Sequence, residues 1–524
     1  MNLLEDGLIR TDCGELSLTE TLAALCRDDI RSFPALRHHQ TPVWHAFLVQ
    51  LAALALDAAG FAEPPGDAKG WRSALRGLTP DWPEDEPWRL VTSADRPAFL
   101  QPPVPGGDLA PFKRRVDTPD ALDVLVTSKN HDLKAERIAQ AQPDDWIFAL
   151  VSLQTQEGQM GRGNYGIARM NGGYGSRPFL GIAPEGGPGA RFRRDLRILL
   201  RPTNAPRWTD WGSRRQVRLV WLEPWDGKQQ LHVDELHFLF IEVCRRVRLA
   251  AEKDGRIFAL VANSEAARVL AKDLKGVTDD PWAPVETGAE TKLFTLSTKG
   301  FSWQTMRELL FSAGDSRSKR VYRRPDLARV QPEDGDRVEI VAAGLARGQG
   351  KTEGFHERRI PVPPHARARL ADEADRQLAQ AAERMERDAG TMAWSVLRPA
   401  LLCAFEKGPE QLDFNARNAA AAAIPFVQEF DTAVDADFFP VLWRSLDRTA
   451  EEAEQEWQSI LRDNANRTLR KALNAGPRSE TRRFIAAARA ESMFAGAMYK
   501  QFPALRHPTS RDSERTSTEV RDEL

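Results

Sequence analysis

The chain has 524 residues, more than a single core accommodates, so two or three domains are expected. Its 73 lysines and arginines stand against 75 acidic residues for a net charge of −2, which excludes a uniformly basic nucleic-acid binder and leaves only local patches for such a role. Four cysteines with no CxxC pair and no histidine cluster argue against a disulfide framework and a zinc site; an N-terminus opening MNLLEDGLIR, with no apolar run of membrane-spanning length, makes a cytoplasmic chain the expectation.

Residues 1–17 read as a strand and turn, and Ser17-Leu-Thr-Glu20 is a capping box that starts a helix. Thr41-Pro42 opens a longer helix, apolar on nearly every face and ending at Gly60. Residues 61–119 turn to proline, glycine and tryptophan in loops and short helices, and residues 120–144 are mostly polar, with Lys129-Asn130-His131 in a loop. A capped helix over 143–156, with Trp146, Leu150 and Leu153 on one face, leads into a glycine-rich stretch. Beyond it come a basic helix at 191–201, a strand at 216–221, an apolar helix over 236–249 that carries Cys244-Arg-Arg-Val-Arg248, strands at 258–262, 292–296 and 338–343, and a helix at 303–311. Near Pro364 the composition becomes rich in alanine, arginine and glutamate, with helices at 365–387, 394–405, 415–430, 437–464 and 480–499. The fold class is α+β: a mixed domain over 1–363, a four-helix bundle over 364–503 with one helical segment outside it, and a polar, disordered tail over 504–524.

The glycine-rich stretch, residues 157–178, reads EGQMGRGNYGIARMNGGYGSRP. It contains a literal GxGxxG, Gly161-Arg162-Gly163-Asn164-Tyr165-Gly166, but a dinucleotide fingerprint needs a strand before it, and here a helix leads in. Seven glycines with Arg162, Arg169 and Arg177 favour contact with an anion over an irregular turn whose glycines merely satisfy positive φ. Downstream, Gly350-Lys351-Thr352 invites a P-loop reading, a nucleotide-binding enzyme, but Leu345 occupies the position where that motif requires glycine. The alternative is a glycine-rich hairpin tip, Gly348-Gln349-Gly350, with Lys351 beside it, able to enter a groove. His38, His39 and His45 fit helix-start packing, and the acid pairs Asp144-Asp145 and Asp279-Asp280 fit helix caps. Nothing advertises a catalytic group, a metal site or a cofactor. Basic clusters at 113–115, 191–197, 214–215 and 317–324 read either as solvated faces or, interleaved with tryptophans, as a phosphate-binding surface.

The opening Met1-Asn-Leu-Leu, Phe99-Leu-Gln, the helix leading into the glycine-rich loop and the glycine-glutamine tip before Glu357-Arg-Arg359 together resemble CasA, the large-subunit family of the type I-E CRISPR surveillance complex Cascade, in order over nearly the whole chain. The resemblance implies a non-catalytic subunit that recognises the protospacer-adjacent motif in double-stranded DNA from the minor groove, helps open the duplex for guide-RNA pairing and helps recruit a helicase-nuclease. A purely structural scaffold is the competing reading. The family's glycine loop maps to Gly161, Gly163 and Gly166 with Asn164 among them, and its wedge to Gly348, Gln349 and Gly350, where this sequence departs from an asparagine-glutamine core. Its lysine maps to Lys292, with Lys299 as the rival. Lys129, Asn130 and His131 correspond to the segment that meets the guide RNA and a neighbouring Cascade subunit.

Overall fold

The computed structural model describes residues 1–123, 138, 140–172, 175–201, 216–311, 320–348, 351–372, 376–406, 417–475 and 480–505. They divide into two compact units, Met1–Arg367 and a second beginning at Ala368.

The first unit opens with an antiparallel hairpin of β1 (Ile9–Thr11) and β2 (Gly14–Leu16). Helix α1 (Leu18–Arg27) starts where the capping box predicts, with the Ser17 hydroxyl accepting from Glu20 N–H and the Glu20 carboxylate accepting from Ser17 N–H. Helix α2 (Thr41–Ala59) carries Pro42 in its first turn and stops at Gly60, whose φ of 67° is cheap only for glycine. By length and composition α2 could cross a membrane, contrary to the expectation from sequence; its side chains are instead buried in the core, from Val43 and Phe47 to Leu56. Next come α3 (Ala68–Arg76), β3 (Arg114–Val116), α4 (Pro143–Gln156), which is buried almost all round, and β4 (Phe179–Pro184), which follows directly on the glycine-rich stretch. Helix α5 (Pro188–Leu200) leads to β5 (Val217–Leu219) and β6 (Leu231–His232).

The helix expected over 236–249 is two strands, β7 (Leu236–Ile241) and β8 (Arg246–Ala251). Both bury nearly every side chain, so no period of 2 survives in the sequence, and the β-branched and aromatic content was the only signal. Strand β9 (Ile257–Ala262) pairs antiparallel with β8 and β3, and β10 (Val269–Leu270) pairs with β6. The remaining short strands β11 (Val285–Glu286), β12 (Lys292–Leu293) and β13 (Tyr322–Arg323) form one small sheet, with α6 (Trp303–Phe311) between β12 and β13 in the chain. Last are two long strands, β14 (Val338–Gly348) and β15 (Lys351–Val362), an antiparallel hairpin whose first strand also pairs with β4.

Several arginines of the basic stretches are engaged inside the protein. Arg194 is buried and donates to Asp334, Asp195 and two backbone carbonyls; Arg193 donates to the carbonyls of Leu25 and Cys26, and Arg115 pairs with Asp117 and Glu252. Arg248 ties down the 92–102 loop through the carbonyls of Thr92, Ser93, Arg96 and Gln101. A count of basic residues does not reveal their partners. The clusters at 214–215 and 317–319 lie outside the described residues.

Helix α7 (Pro364–Ala371) crosses the division between the units. The second unit is helical. Helix α8 (Gln377–Thr391) runs through a widened π turn at Met392–Leu397 into α9 (Arg398–Phe405). The widening precedes Pro399, whose ring would crowd the Ser395 carbonyl in a regular helix. Helix α10 (Arg417–Arg444) runs unbroken through residues 431–436, where the sequence suggested a linker. Those polar side chains flank a buried stripe of Phe430, Val434 and Phe438 at helical spacing. The break falls instead at 445–449, where a second capping box, Thr449 with Glu452, starts α11 (Ala450–Ala475), and α12 (Glu480–Gln501) follows. Of the tail, residues 506–524 lie outside the described residues. Thr449→Ala is expected to lower the stability of the helical unit by about 1 kcal/mol, read as a drop in its thermal unfolding midpoint.

Candidate nucleic-acid interface

The glycine-rich stretch is a loop closed at its base. Arg177 N–H donates to Gln156 O at 3.2 Å, and a Cβ on Gly158 would sit 1.7 Å from Gly175 O, so the two ends touch where only glycine fits. Inside this, Ile167 N–H donates to Glu157 O at 3.0 Å and Met160 N–H to Asn164 O at 2.8 Å, which folds 158–166 into a tight outward turn. Gly161 stands at its tip with φ +96° and open space beside it, and Arg162 is exposed. Gly163 is buried, Asn164 and Gly166 are half-buried, and a Cβ on Gly166 would lie 2.8 Å from Gln159 N.

Charged groups hold the loop from behind. Arg177 is fully buried and makes a two-pronged contact with Asp280, Nε–Oδ2 2.6 Å and Nη2–Oδ1 2.9 Å, while its Nη1 donates to Gln50 of α2 at 3.1 Å. Burial alone would push the Asp280 carboxyl up, but the charge and hydrogen bonds of Arg177 outweigh that and hold it below the usual carboxylate range. Arg169 donates to the carbonyls of Phe238 and Phe240, both at 3.0 Å, and stacks on the Phe240 ring; burial lowers it to about 10. Arg245 reaches Gly158 O at 2.7 Å, and Glu242 accepts from Ala168 N–H at 2.7 Å. Arg169 and Arg177, read from sequence as anion contacts, are therefore internal struts, and Arg162 is the exposed member of the three. Asp280, read as a cap, is the partner of Arg177. Asp145 does cap its helix, accepting from Gln142 N–H, whereas its neighbour Asp144 is paired with Arg10.

The second candidate segment is the end of the β14–β15 hairpin. Strand β4 accompanies β14 only from Val338 to Ala343, where Ala343 faces Phe179; beyond that the two long strands continue alone to the Gly348–Lys351 pair, with a bulge after Ala346. This is a strand-turn-strand, so the helix that a P-loop requires after Gly350-Lys351-Thr352 is absent, and that reading is corrected. Gln349 and Gly350 lie outside the described residues, as do Lys129, Asn130 and His131. The loop and the hairpin share one sheet. Pro178 closes the glycine stretch just before β4, and a Cβ on Gly344, the first residue past the β4 pairing, would sit 3.7 Å from the Pro178 Cα.

The two lysines differ. The Lys292 ammonium, on β12, lies 3.9 Å from Glu286 and 3.7 Å from Glu290. Lys299 is exposed, has no ion-pair partner among the described residues, and occupies a turn whose Gly300 packs against His356 of β15.

No protein-family model matches the sequence, and no curated protein does. Solved structures do. Cse1 from Thermobifida fusca matches with a TM-score of 0.63 at 18% identity over 96% of this chain and 98% of its own. CasA (Cse1) from Thermus thermophilus matches with a TM-score of 0.62 at 17% identity over 95% and 99%. The chain has the CasA (Cse1) fold. The CRISPR-associated protein Cse1 from Acidimicrobium ferrooxidans agrees, with a TM-score of 0.61 at 16% identity over 95% and 98%. At these identities the likeness is one of fold, and it covers both units of the chain.

Arg177→Met should lower the unfolding free energy of the first unit by about 3–5 kcal/mol at pH 7, because it leaves Asp280 buried and unpaired, and adding Asp280→Asn should recover part of the loss; urea denaturation reads both. In the unaltered chain the Asp280 contribution is fully present above its unfolded pKa, near 4, and is lost as pH falls through the lower folded value, so unfolding free energy should fall with acid there and fall less in the double variant. Gly163→Ala forces a side chain to φ +84° and 2.7 Å from the Asn263 Cβ, while Gly161→Ala carries only the backbone strain. The first should cost about 1–3 kcal/mol and the second less, measured as thermal midpoints.

Proposed function

We propose that the chain is the large subunit of a type I-E CRISPR surveillance complex, and that it recognises the protospacer-adjacent motif in duplex DNA and helps open the duplex for the guide RNA without catalysing a reaction itself. The observation that carries this reading is the shared sheet: β4 begins where the glycine loop ends, and β14 runs past its β4 pairing to Gly348. A reader and a wedge anchored on one sheet can act on adjacent base pairs.

The glycine tip suits a minor groove, where a backbone without side chains approaches the floor closely and the degenerate pattern of base edges lets one reader accept several motifs. Arg162 is exposed, without an ion-pair partner among the described residues, and supplies a guanidinium for a phosphate. The lysine is Lys292 or Lys299, and an ammonium beside the hairpin with no ion-pair partner among the described residues favours Lys299. Unstacking by Gln349 costs a few kcal/mol, which guide pairing recovers because strand exchange is nearly balanced. Lys129, Asn130 and His131 would meet the guide RNA or a neighbouring subunit, the complex would hand the opened DNA to a helicase-nuclease, and the cytoplasm is where these partners would meet.

The test is binding of the reconstituted complex to duplexes with and without the adjacent motif. Gln349→Ala should weaken motif-bearing duplex by about tenfold and leave a target already opened beside the motif unaffected. Arg162→Ala should weaken all duplexes about equally and reduce the salt slope by about 1. Lys299→Ala should lose more motif-dependent binding than Lys292→Ala. Unchanged motif-dependent binding in Gln349→Ala, together with unchanged affinity and salt slope in Arg162→Ala, would leave only the scaffold reading.

A further inference from the structure

A second segment is built onto the glycine tip, and nothing in the sequence marks it. After β9 the chain turns through Asn263, Ser264 and Glu265, and three hydrogen bonds clamp this turn to the loop: Ser264 N–H to Gly163 O at 2.9 Å, Ser264 Oγ to the same oxygen at 3.3 Å, and Tyr165 OH to Glu265 O at 2.9 Å. Arg246 Nη1 fixes the turn from below by donating to Asn263 O at 3.1 Å. The side of Gly163 where a Cβ would project is filled by Asn263, whose Cβ and Cγ would lie 2.7 and 2.9 Å from it. Gly163 is thus glycine so that Asn263 can sit against the loop.

Held this way, Asn263 is exposed, and its carboxamide makes no hydrogen bond among the described residues. Arg162 and Asn164, on either side of Gly163, likewise carry side chains without partners among the described residues. The neighbouring Glu265 carboxylate lies 3.3 Å from Lys228, so the turn does not present a bare negative charge to a polyanion. A rigidly mounted carboxamide beside an open glycine backbone offers one acceptor and two donors at a fixed depth. The minor-groove edges it could meet are the acceptors of either base-pair type and the amino donor that guanine alone adds.

We propose that Asn263 is a specificity-determining residue that contacts a base edge of the duplex next to the glycine tip and sets the preference between A·T and G·C at one motif position. This rests on the DNA-reading function above and goes beyond the glycine loop, lysine and wedge assigned there. Because alanine keeps the Cβ that packs on Gly163, Asn263→Ala removes the amide without opening the clamp. Asn263→Asp keeps the shape and makes the group acceptor-only, so it should favour the guanine amino donor over base acceptors.

The experiment is binding of the reconstituted complex to duplexes carrying every base pair at each motif position, with a pre-opened target as control. Asn263→Ala should shrink the preference at one position by about fivefold or more, Asn263→Asp should shift that position towards G·C, and both should bind the pre-opened target as the unaltered complex does. If the unaltered complex ranks the motifs and both variants keep the same ranking, Asn263 does not read a base. If the unaltered complex itself does not distinguish motifs, the DNA-reading function fails and this assignment falls with it.

Discussion

The first unit depends on a charge pair whose side chains are almost fully buried. Arg177 and Asp280 are 103 residues apart in the chain and meet with two short hydrogen bonds, flanked by Gln50 of α2 and by the Phe179 and Trp282 rings. Gln50 in turn donates to the carbonyls of Leu239 and Phe240, and Trp282 accepts from Leu180 N–H at its carbonyl. One ion pair therefore joins the buried helix, strand β7, the start of β4 and the 280–282 segment. Such a pair contributes little net stability against an apolar replacement, but losing one partner is costly, and its geometry admits one arrangement of the chains it joins.

That constraint sits at the base of the glycine loop. A loop rich in glycine is entropically expensive to order, and here the cost is met by its surroundings: Arg245 and Glu157 at its start, Glu242 and Arg169 behind its middle, Arg177 at its end. The backbone at Gly161 can then be both open and fixed in place. The same end point begins β4, so the position of the loop is transmitted directly to the β14–β15 hairpin. Preorganisation of this kind is what a reader that must insert into a narrow groove requires, because ordering the loop on binding would subtract from affinity.

Some of this was legible in the sequence. Local chemistry within a few residues was readable: the Ser17–Glu20 capping box, Pro42 and Gly60 at the ends of α2, and the change from helix to glycine-rich coil after Gln156. Failures came where meaning depends on distant partners. Arg169 and Arg177 look the same in sequence as Arg162, yet two are struts and one is exposed. Leu236 to Leu249 lost its periodicity because both faces are buried, and the polar run inside α10 looked like a linker because its buried stripe is narrow. Asn263 carries no motif at all; its significance comes from packing on Gly163, 100 residues earlier.

The central claim is that the glycine tip meets duplex DNA beside the guide-paired stretch. It is tested most directly by placing a photo-reactive amino acid at position 162 in the reconstituted complex, irradiating it on a motif-bearing target, and mapping the cross-linked nucleotide. The account predicts a cross-link within the few base pairs that adjoin the guide-paired stretch. A cross-link confined to another subunit, or one on motif-bearing DNA that maps away from those base pairs, would contradict it.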